Sequence, residues 1–306
     1  MTRDNTDSPL PRLPIRAASA HKGTFGSVAV FGGTCAGPDR MIGAPALAAR
    51  GALRAGAGVA RVYAPAPILE SVIALCPSAT GFALSTAENG FITPTGAAQA
   101  LDLAADTCRG LVIGPGIGAG DGVRALVLRA VQRDDVPVVI DADGLNALAE
   151  IPDLFRDFRA RAVLTPHPGE FRRLAQTFRI GLDPADAAQR PEAASALAQR
   201  LGCIVVLKGA GTVVSNGLES WVCTRGHPCM ATAGSGDVLA GMIGALAAAY
   251  AHRESAPLRL FDVARLAVEA HALAGERWAK TTGASGGMLA AELADAVPTA
   301  LETLRG

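Results

Sequence analysis

The chain has 306 residues, with 28 basic and 28 acidic side chains and no formal net charge; half of its residues are apolar, 18% are charged and 35 are glycine. This balance excludes an intrinsically disordered chain, which lacks the apolar content to fold, and it argues against nucleic-acid binding, because no overall positive field is available to hold phosphates. The length suffices for one large α/β domain or two small ones.

In chain order, residues 1–20 are polar and proline-punctuated, with no apolar signal-peptide core, and read as a flexible N-terminal tail. Short β-branched runs then alternate with alanine-rich stretches. Strands are predicted at 27–31, 59–64, 110–113, 138–141, 162–165 and 204–208, and helices at 44–55, 122–132, 169–178 and 185–201. Continuous apolar strands separated by helices imply an α/β fold, with a mostly parallel central sheet flanked by helices on both faces. After Lys208 the rhythm changes. Residues 212–215, the turn Asn216-Gly217 and residues 221–224 read as a late β-hairpin, and three helices (237–251, 262–280 and 289–304) follow. No linker or repeat interrupts 21–306, which reads as a single domain. The longest nearly uncharged apolar run, 238–251, is shorter than the ~18–20 residues of a membrane span. Six scattered cysteines without a C-x-x-C pair read as reduced core thiols, so a cytoplasmic protein is expected.

The strongest chemical signal is Ala231-Thr-Ala-Gly-Ser-Gly-Asp237, a small-residue loop running into an apolar helix. The backbone at Gly234, Ser235 and Gly236 can approach a ligand closely, and its N–H groups with the helix dipole make an anion hole. A carboxylate at Asp237 would repel a bound phosphate, yet it is placed to take a proton from an attacking hydroxyl; the alternative is that Asp237 only starts the helix. Lys208-Gly-Ala-Gly-Thr212 ends a strand and offers an ammonium and backbone amides to phosphates, or else is a tight turn with a solvated lysine. Only three of the 28 basic residues are lysine, and two of them precede glycine, Lys22 and Lys208.

Gly114-Pro-Gly-Ile-Gly-Ala119 fits the G-x-G-x-x-[GA] dinucleotide fingerprint, with Asp141 near the place of a ribose carboxylate. That fingerprint normally opens the first βα unit, and here several units precede it. In Thr165-Pro-His-Pro-Gly-Glu170, His167 and Glu170 could bind substrate or hydrated Mg²⁺, or simply begin a helix. Asp141-Ala-Asp143 adds two carboxylates, with helix capping by Asp143 as the alternative. Lys22-Gly-Thr-Phe-Gly26 and Phe31-Gly-Gly33 are expected near the same mouth of the sheet. Loops gathered at the carboxyl ends of strands are where open α/β sheets bind ligands. The residues alone thus reach an α/β enzyme for a phosphorylated ligand, with Asp237 as base, and no particular substrate.

The ordered set His21-Lys-Gly-Thr-Phe-Gly26, Phe31-Gly-Gly33, Gly43-Ala-Pro45, Ile113-Gly-Pro-Gly-Ile-Gly118, Asp141-Ala-Asp143, Leu164-Thr-Pro-His-Pro-Gly-Glu170, Leu207-Lys-Gly-Ala-Gly-Thr212 and Met230-Ala-Thr-Ala-Gly-Ser-Gly-Asp237 resembles the NAD(P)H-hydrate dehydratases, a branch of the ribokinase-like superfamily, from about residue 21 to Pro298. The resemblance implies a ribokinase-like fold and repair of hydrated NADH or NADPH. A phosphoryl group passes from ADP or ATP to the C6 hydroxyl of the (S)-hydrate, and phosphate then leaves.

The resemblance also implies residue roles. Asp237 would be the base, and Gly234, Ser235 and Gly236 the anion hole. Lys208, Gly209, Ala210, Gly211, Thr212 and Gly236 would bind the nucleotide, with ADP favoured over ATP. Ala44, Gly116, His167 and Asp237 would line the hydrated-cofactor site, and Glu170 would act on Mg²⁺ through water. It further implies a homo-oligomer, tetrameric in many relatives, and a separate epimerase, since 21–306 leaves no room for an epimerase domain. Met41 stands where an aromatic residue is more usual, and Ala233 where glycine is frequent. The rivals are a small-molecule kinase of the same superfamily (for a thiamine precursor or a sugar), a non-enzymatic nucleotide sensor, and an NAD-dependent dehydrogenase built on the fingerprint loop.

Overall fold

A computed structural model describes residues 9–151, 153–253 and 256–306. They form one nine-stranded sheet: β1 (Ser27–Phe31), β2 (Val59–Pro65), β3 (Thr80–Leu84), β4 (Gly110–Ile113), β5 (Val138–Ile140), β6 (Ala162–Leu164), β7 (Ile204–Leu207), β8 (Val213–Ser215) and β9 (Ser220–Val222), in the spatial order β3-β2-β1-β4-β5-β6-β7-β8-β9. The first seven strands are parallel. β8 and β9 are antiparallel and close the sheet as the expected late hairpin.

The helices are α1 (Gly43–Arg54), α2 (Leu69–Leu75), α3 (Pro94–Thr107), α4 (Asp121–Val131), α5 (Asp143–Ala149), α6 (Pro168–Phe178), α7 (Arg190–Leu201), α8 (Ser235–Tyr250), α9 (Leu260–Thr282) and α10 (Ala290–Glu302). The pleat sends Val28 and Val30 to a core shared with α1, α2, α8, α9 and α10, and sends Ala29 and Phe31 to a core shared with α3 to α7. Both faces of the sheet are therefore covered, which is why its strands read as unbroken apolar runs.

Four elements escape the sequence reading: α2, β3, α3 and α5. The helix expected from 185 begins instead at Arg190, because Asp183 and Asp186 fold the preceding residues into side-chain-capped turns. Part of the stretch expected to be a free tail is held. Leu13 is fully buried, its N–H donates to Leu304 O at 2.8 Å, and the Arg16 guanidinium donates to Gly56 O and lies 3.6 Å from the Phe25 ring centre. Residues 1–8 lie outside the described residues.

α8 is apolar all round and sits between the sheet and α1 and α9, with 13 of its 16 residues buried. Glycine sets its depth. A Cβ on Gly241 would strike the carbonyl oxygen of Ala48 in α1, and one on Gly51 would strike that of Val238 in α8. The α1–α8 crossing thus brings backbone against backbone, and it fixes where the amino end of α8 emerges.

Candidate functional site

The chain winds outward in both directions from the β1–β4 pair, so a crevice opens beyond their carboxyl ends. Both strands run into glycine there. Gly33 N–H donates to Pro115 O at 3.0 Å, and Gly32 carries no Cβ because one would meet that same oxygen. The fingerprint-like loop of Gly114, Gly116 and Gly118 therefore lies at the mouth of this crevice, although it follows the fourth strand in sequence. Gly116, at φ +60°, packs under Met41, and a Cβ there would sit 3.2 Å from Ala44 Cβ. Ala44 and Gly116 are thus neighbours, and the atypical Met41 falls on the wall of the crevice. Gly118 N–H donates to Asp143 Oδ2 at 2.9 Å. The Lys22–Gly26 loop is elsewhere. It precedes β1 and packs at Gly58, just before β2, at the opposite end of the sheet, so its expected place at the mouth is corrected.

Further along the same edge, three strand ends converge. Asp141 follows β5 and is buried. It accepts from Thr165 Oγ1 at 2.7 Å and from Lys208 Nζ, beyond β7, at 2.6 Å. This contact replaces the ribose-carboxylate role that the fingerprint suggested. Lys208 Nζ is also 3.7 Å from Glu170 Oε2. Between the two acids of Asp141-Ala-Asp143, Ala142 holds φ +48°, ψ −119°, a conformation that costs a non-glycine residue about 1–3 kcal/mol. This kink carries the chain directly from the end of β5 into α5, so that Asp141 meets Lys208 and Asp143 meets the Gly118 amide.

His167 and Glu170 form a reciprocal capping box at the start of α6. His167 Nδ1 accepts from Gly169 N at 2.9 Å and Glu170 N at 3.3 Å, and Glu170 Oε2 accepts from His167 N at 2.8 Å. The helix-start alternative is thus realised for both residues. Glu170 is buried as well, and burial pushes its carboxyl above the usual range, with the Lys208 ammonium opposing.

Asp237 stands in the first turn of α8, with Gly234 as N-cap at φ +89°. Gly236 lies over the lysine: a Cβ there would be 3.3 Å from Lys208 Nζ and 4.0 Å from Asp141 Oδ2. The anion-hole loop and the lysine loop, read separately in the sequence, therefore adjoin. Burial, reinforced by Asp141, pushes the Asp237 carboxyl up to about 7, against the pull of Lys208. Lys208 is driven the other way: burial alone would lower its pKa, but Asp141, Glu170 and Asp237 more than offset this and keep it charged. Thr212 spends its hydroxyl on its own turn, donating to Gly209 O at 2.9 Å.

Two residues to which no site role was given support these loops. His271 of α9, buried, donates from Nε2 to Ser235 O at 2.9 Å, with Ser235 Oγ 3.3 Å away; burial lowers its pKa to about 4 and keeps it neutral. It pins the first turn of α8 through the Ser235 carbonyl and hydroxyl, while the Ser235 N–H donates to Thr232 O at 3.4 Å. Arg190 reaches from α7 beneath the Lys208 turn. Both bind backbone carbonyls, which carry no sequence signature.

A base near neutrality, an amide-rich helix start and a charged lysine in one cleft can deprotonate a hydroxyl beside a bound phosphoryl group. Comparison with known proteins agrees with that chemistry. The family model for NAD(P)H-hydrate dehydratase matches residues 33–299. The ADP-dependent (S)-NAD(P)H-hydrate dehydratase of Xanthomonas campestris is 34% identical over 99% of this chain and 97% of its own length. Bifunctional NAD(P)H-hydrate repair enzymes are 36% and 34% identical, and the chain spans about half of their length. The crystal structure of the Bacillus subtilis ADP/ATP-dependent NAD(P)H-hydrate dehydratase, co-crystallised with ATP and Mg²⁺, superposes with a TM-score of 0.76 at 28% identity, covering 96% of this chain and 95% of that one. A ribokinase from Giardia lamblia shares the fold alone (TM-score 0.56, 12% identity, 90% and 98% covered), which bears out the ribokinase-like architecture. By a match that runs through nearly every loop of the cleft, this chain belongs to the NAD(P)H-hydrate dehydratase family.

Proposed function

We propose that this chain repairs hydrated nicotinamide cofactors, converting (S)-NADHX and (S)-NADPHX to NADH and NADPH with ADP, in preference to ATP, as phosphoryl donor. The observation that carries the reading is Asp237, a carboxylate poised near neutrality in the same first turn of α8 as Ser235 and Gly236, whose backbone at Gly236 lies over the Lys208 ammonium. Asp237 takes the proton of the C6 hydroxyl as its oxygen attacks the terminal phosphorus of the nucleotide. The bond from that phosphorus to its bridging oxygen breaks, releasing AMP from ADP. Amides at Gly234, Ser235 and Gly236 stabilise the charge on the transferred group. Phosphate is a far better leaving group than hydroxide, so the C6–O bond breaks with the electron pair leaving on phosphate, C5 gives up a proton to solvent, and the C5–H pair becomes the ring double bond. Lys208 and the turn from Gly209 to Thr212 hold the donor; Ala44, Gly116 and His167 face the hydrated cofactor.

Four acids, Asp141, Asp143, Glu170 and Asp237, surround this cleft against one lysine. Among the described residues no three His, Cys, Asp or Glu side chains are arranged to hold a metal by themselves. Glu170, through water, would hold a Mg²⁺ ion brought in on the nucleotide's phosphates, and the ion would neutralise phosphate charge there. The family resemblance extends the reading to a homo-oligomer working beside an epimerase in the cytoplasm; among the described residues no helix is long and apolar enough to cross a membrane.

The test is turnover of the hydrated cofactor. Protein is mixed with (S)-NADHX and Mg²⁺, with ADP, ATP or neither, and the return of reduced-nicotinamide absorbance is followed. Recovery that depends on a nucleotide supports the reading and identifies the donor. Folded protein that recovers nothing with either nucleotide sinks it and leaves the small-molecule kinase as the next assay.

A further inference from the structure

Arg190 is buried, yet its guanidinium meets only backbone carbonyls: Pro184 O at 2.8 Å from Nη1, and Leu207 O at 3.0 Å, Lys208 O at 3.3 Å and Gly211 O at 3.4 Å from Nη2. Its Nε has no hydrogen-bond partner and no carboxylate pairs with it among the described residues. A buried cation without a counter-ion is costly, and burial pulls its pKa down.

Its location gives that cost a purpose. A Cβ on Gly209 would lie 3.1 Å from Nη2, so the charge sits directly under the Lys208 turn. Carbonyls drawn inward turn the next amides the other way across each trans peptide: Gly209 N–H, after Lys208, donates to Thr212 Oγ1 at 3.3 Å and braces the turn, and Thr212 N–H follows the inward Gly211 carbonyl. The other cation of the cleft, Lys208, is already matched by Asp141 and Glu170. Arg190 is a cation with no carboxylate in direct contact, placed under the turn that would receive an anion, and burial protects its field from solvent screening.

We propose that Arg190 is a positioning residue for the nucleotide's phosphates, holding the carbonyls of the Lys208-Gly-Ala-Gly-Thr212 turn inward and giving the turn an uncompensated positive charge. This rests on that turn being the donor site. The test measures binding of ADP, AMP and adenosine by calorimetry to wild type, Arg190→Met, Arg190→Gln and Arg190→Lys, with Mg²⁺ present and with folding checked by thermal melts. Arg190→Met and Arg190→Gln should weaken ADP on the order of tenfold, weaken AMP less, and leave adenosine unchanged, while Arg190→Lys recovers much of the loss. In turnover the loss should appear in the nucleotide KM, with kcat at saturation near wild type.

Equal weakening of all three ligands would mean that the turn has merely collapsed, and would overturn the proposal. So would unchanged ADP affinity, or an Arg190→Lys protein no better than Arg190→Gln. Should Arg190→Met not fold, the other two variants decide. A wild type that binds neither ADP nor ATP removes the donor-site reading itself, and this proposal with it; a wild type that binds ADP while folded variants bind it equally well removes only the role of Arg190.

Discussion

Asp237 acts as a base only when ionised, and its surroundings have moved that ionisation to about 7. kcat/KM should therefore climb as pH rises through about 7 and level off above it, which a pH–rate profile with saturating nucleotide reads directly. The same shift has a sign for stability. A carboxyl whose folded pKa lies above its unfolded value destabilises the fold once both states are ionised. Asp237→Asn should abolish turnover yet raise stability by about 1–2 kcal/mol at pH 8, a figure reduced for the partial solvation of the side chain. In urea denaturation the gain should shrink as pH falls below about 7 and vanish below ~4. Lys208 is the converse case. Lys208→Met strands Asp141 and Glu170 as buried like charges and should cost about 3–5 kcal/mol at pH 8 by the same measurement. Both residues were legible in the sequence because each sits in a contiguous glycine loop. The pairing of Lys208 with Asp141 was not, because the two are 67 positions apart. Arg190 was invisible for a different reason: a side chain that recognises backbone carbonyls leaves no pattern among its partners.

Elements bounded by glycine loops and filled by β-branched residues were readable. β3 was not, since four of its five residues are exposed or only partly buried, at the sheet edge, and its composition carries no apolar run. α5 was hidden by its own motif, because Asp141-Ala-Asp143 reads as chemistry while its second aspartate also opens a helix. The α1–α8 crossing turns on two glycines whose sequence context looks like ordinary alanine-rich helix. Gly241→Ala forces a methyl group into the Ala48 carbonyl and should destabilise by about 3 kcal/mol, the upper end of overpacking. Gly181→Ala, in open space with no positive φ, should be neutral or stabilise by up to ~1 kcal/mol. Thermal melts of the pair check both. Because α8 carries Asp237, partial survivors of Gly241→Ala should also lose turnover more steeply than Gly181→Ala.

Across the described residues, doubly wound topology puts every loop that follows a parallel strand at one end of the sheet and the paired segments at Leu13 and Arg305 at the other. That was legible for the loops and wrong for the tail. Leu13 carries no signal in a polar, proline-rich stretch, and its burial comes from the far terminus: it pairs with Arg305, and Arg305 donates to Pro14 O at 2.7 Å and to Tyr250 Oη at 3.3 Å. Leu13→Ala should cost about 2–4 kcal/mol, measured by urea denaturation, without altering the nucleotide KM. The stitch has a topological consequence. With Gly306 N–H donating to Leu13 O at 3.4 Å, residues 13–306 nearly close into a ring, so the fold does not depend on which of its loops is left open. A circular permutant that links residue 306 to residue 9 through a short spacer, and opens at the exposed hairpin tip beside Leu218, would keep every neighbour in the sheet and the cleft at the far end untouched.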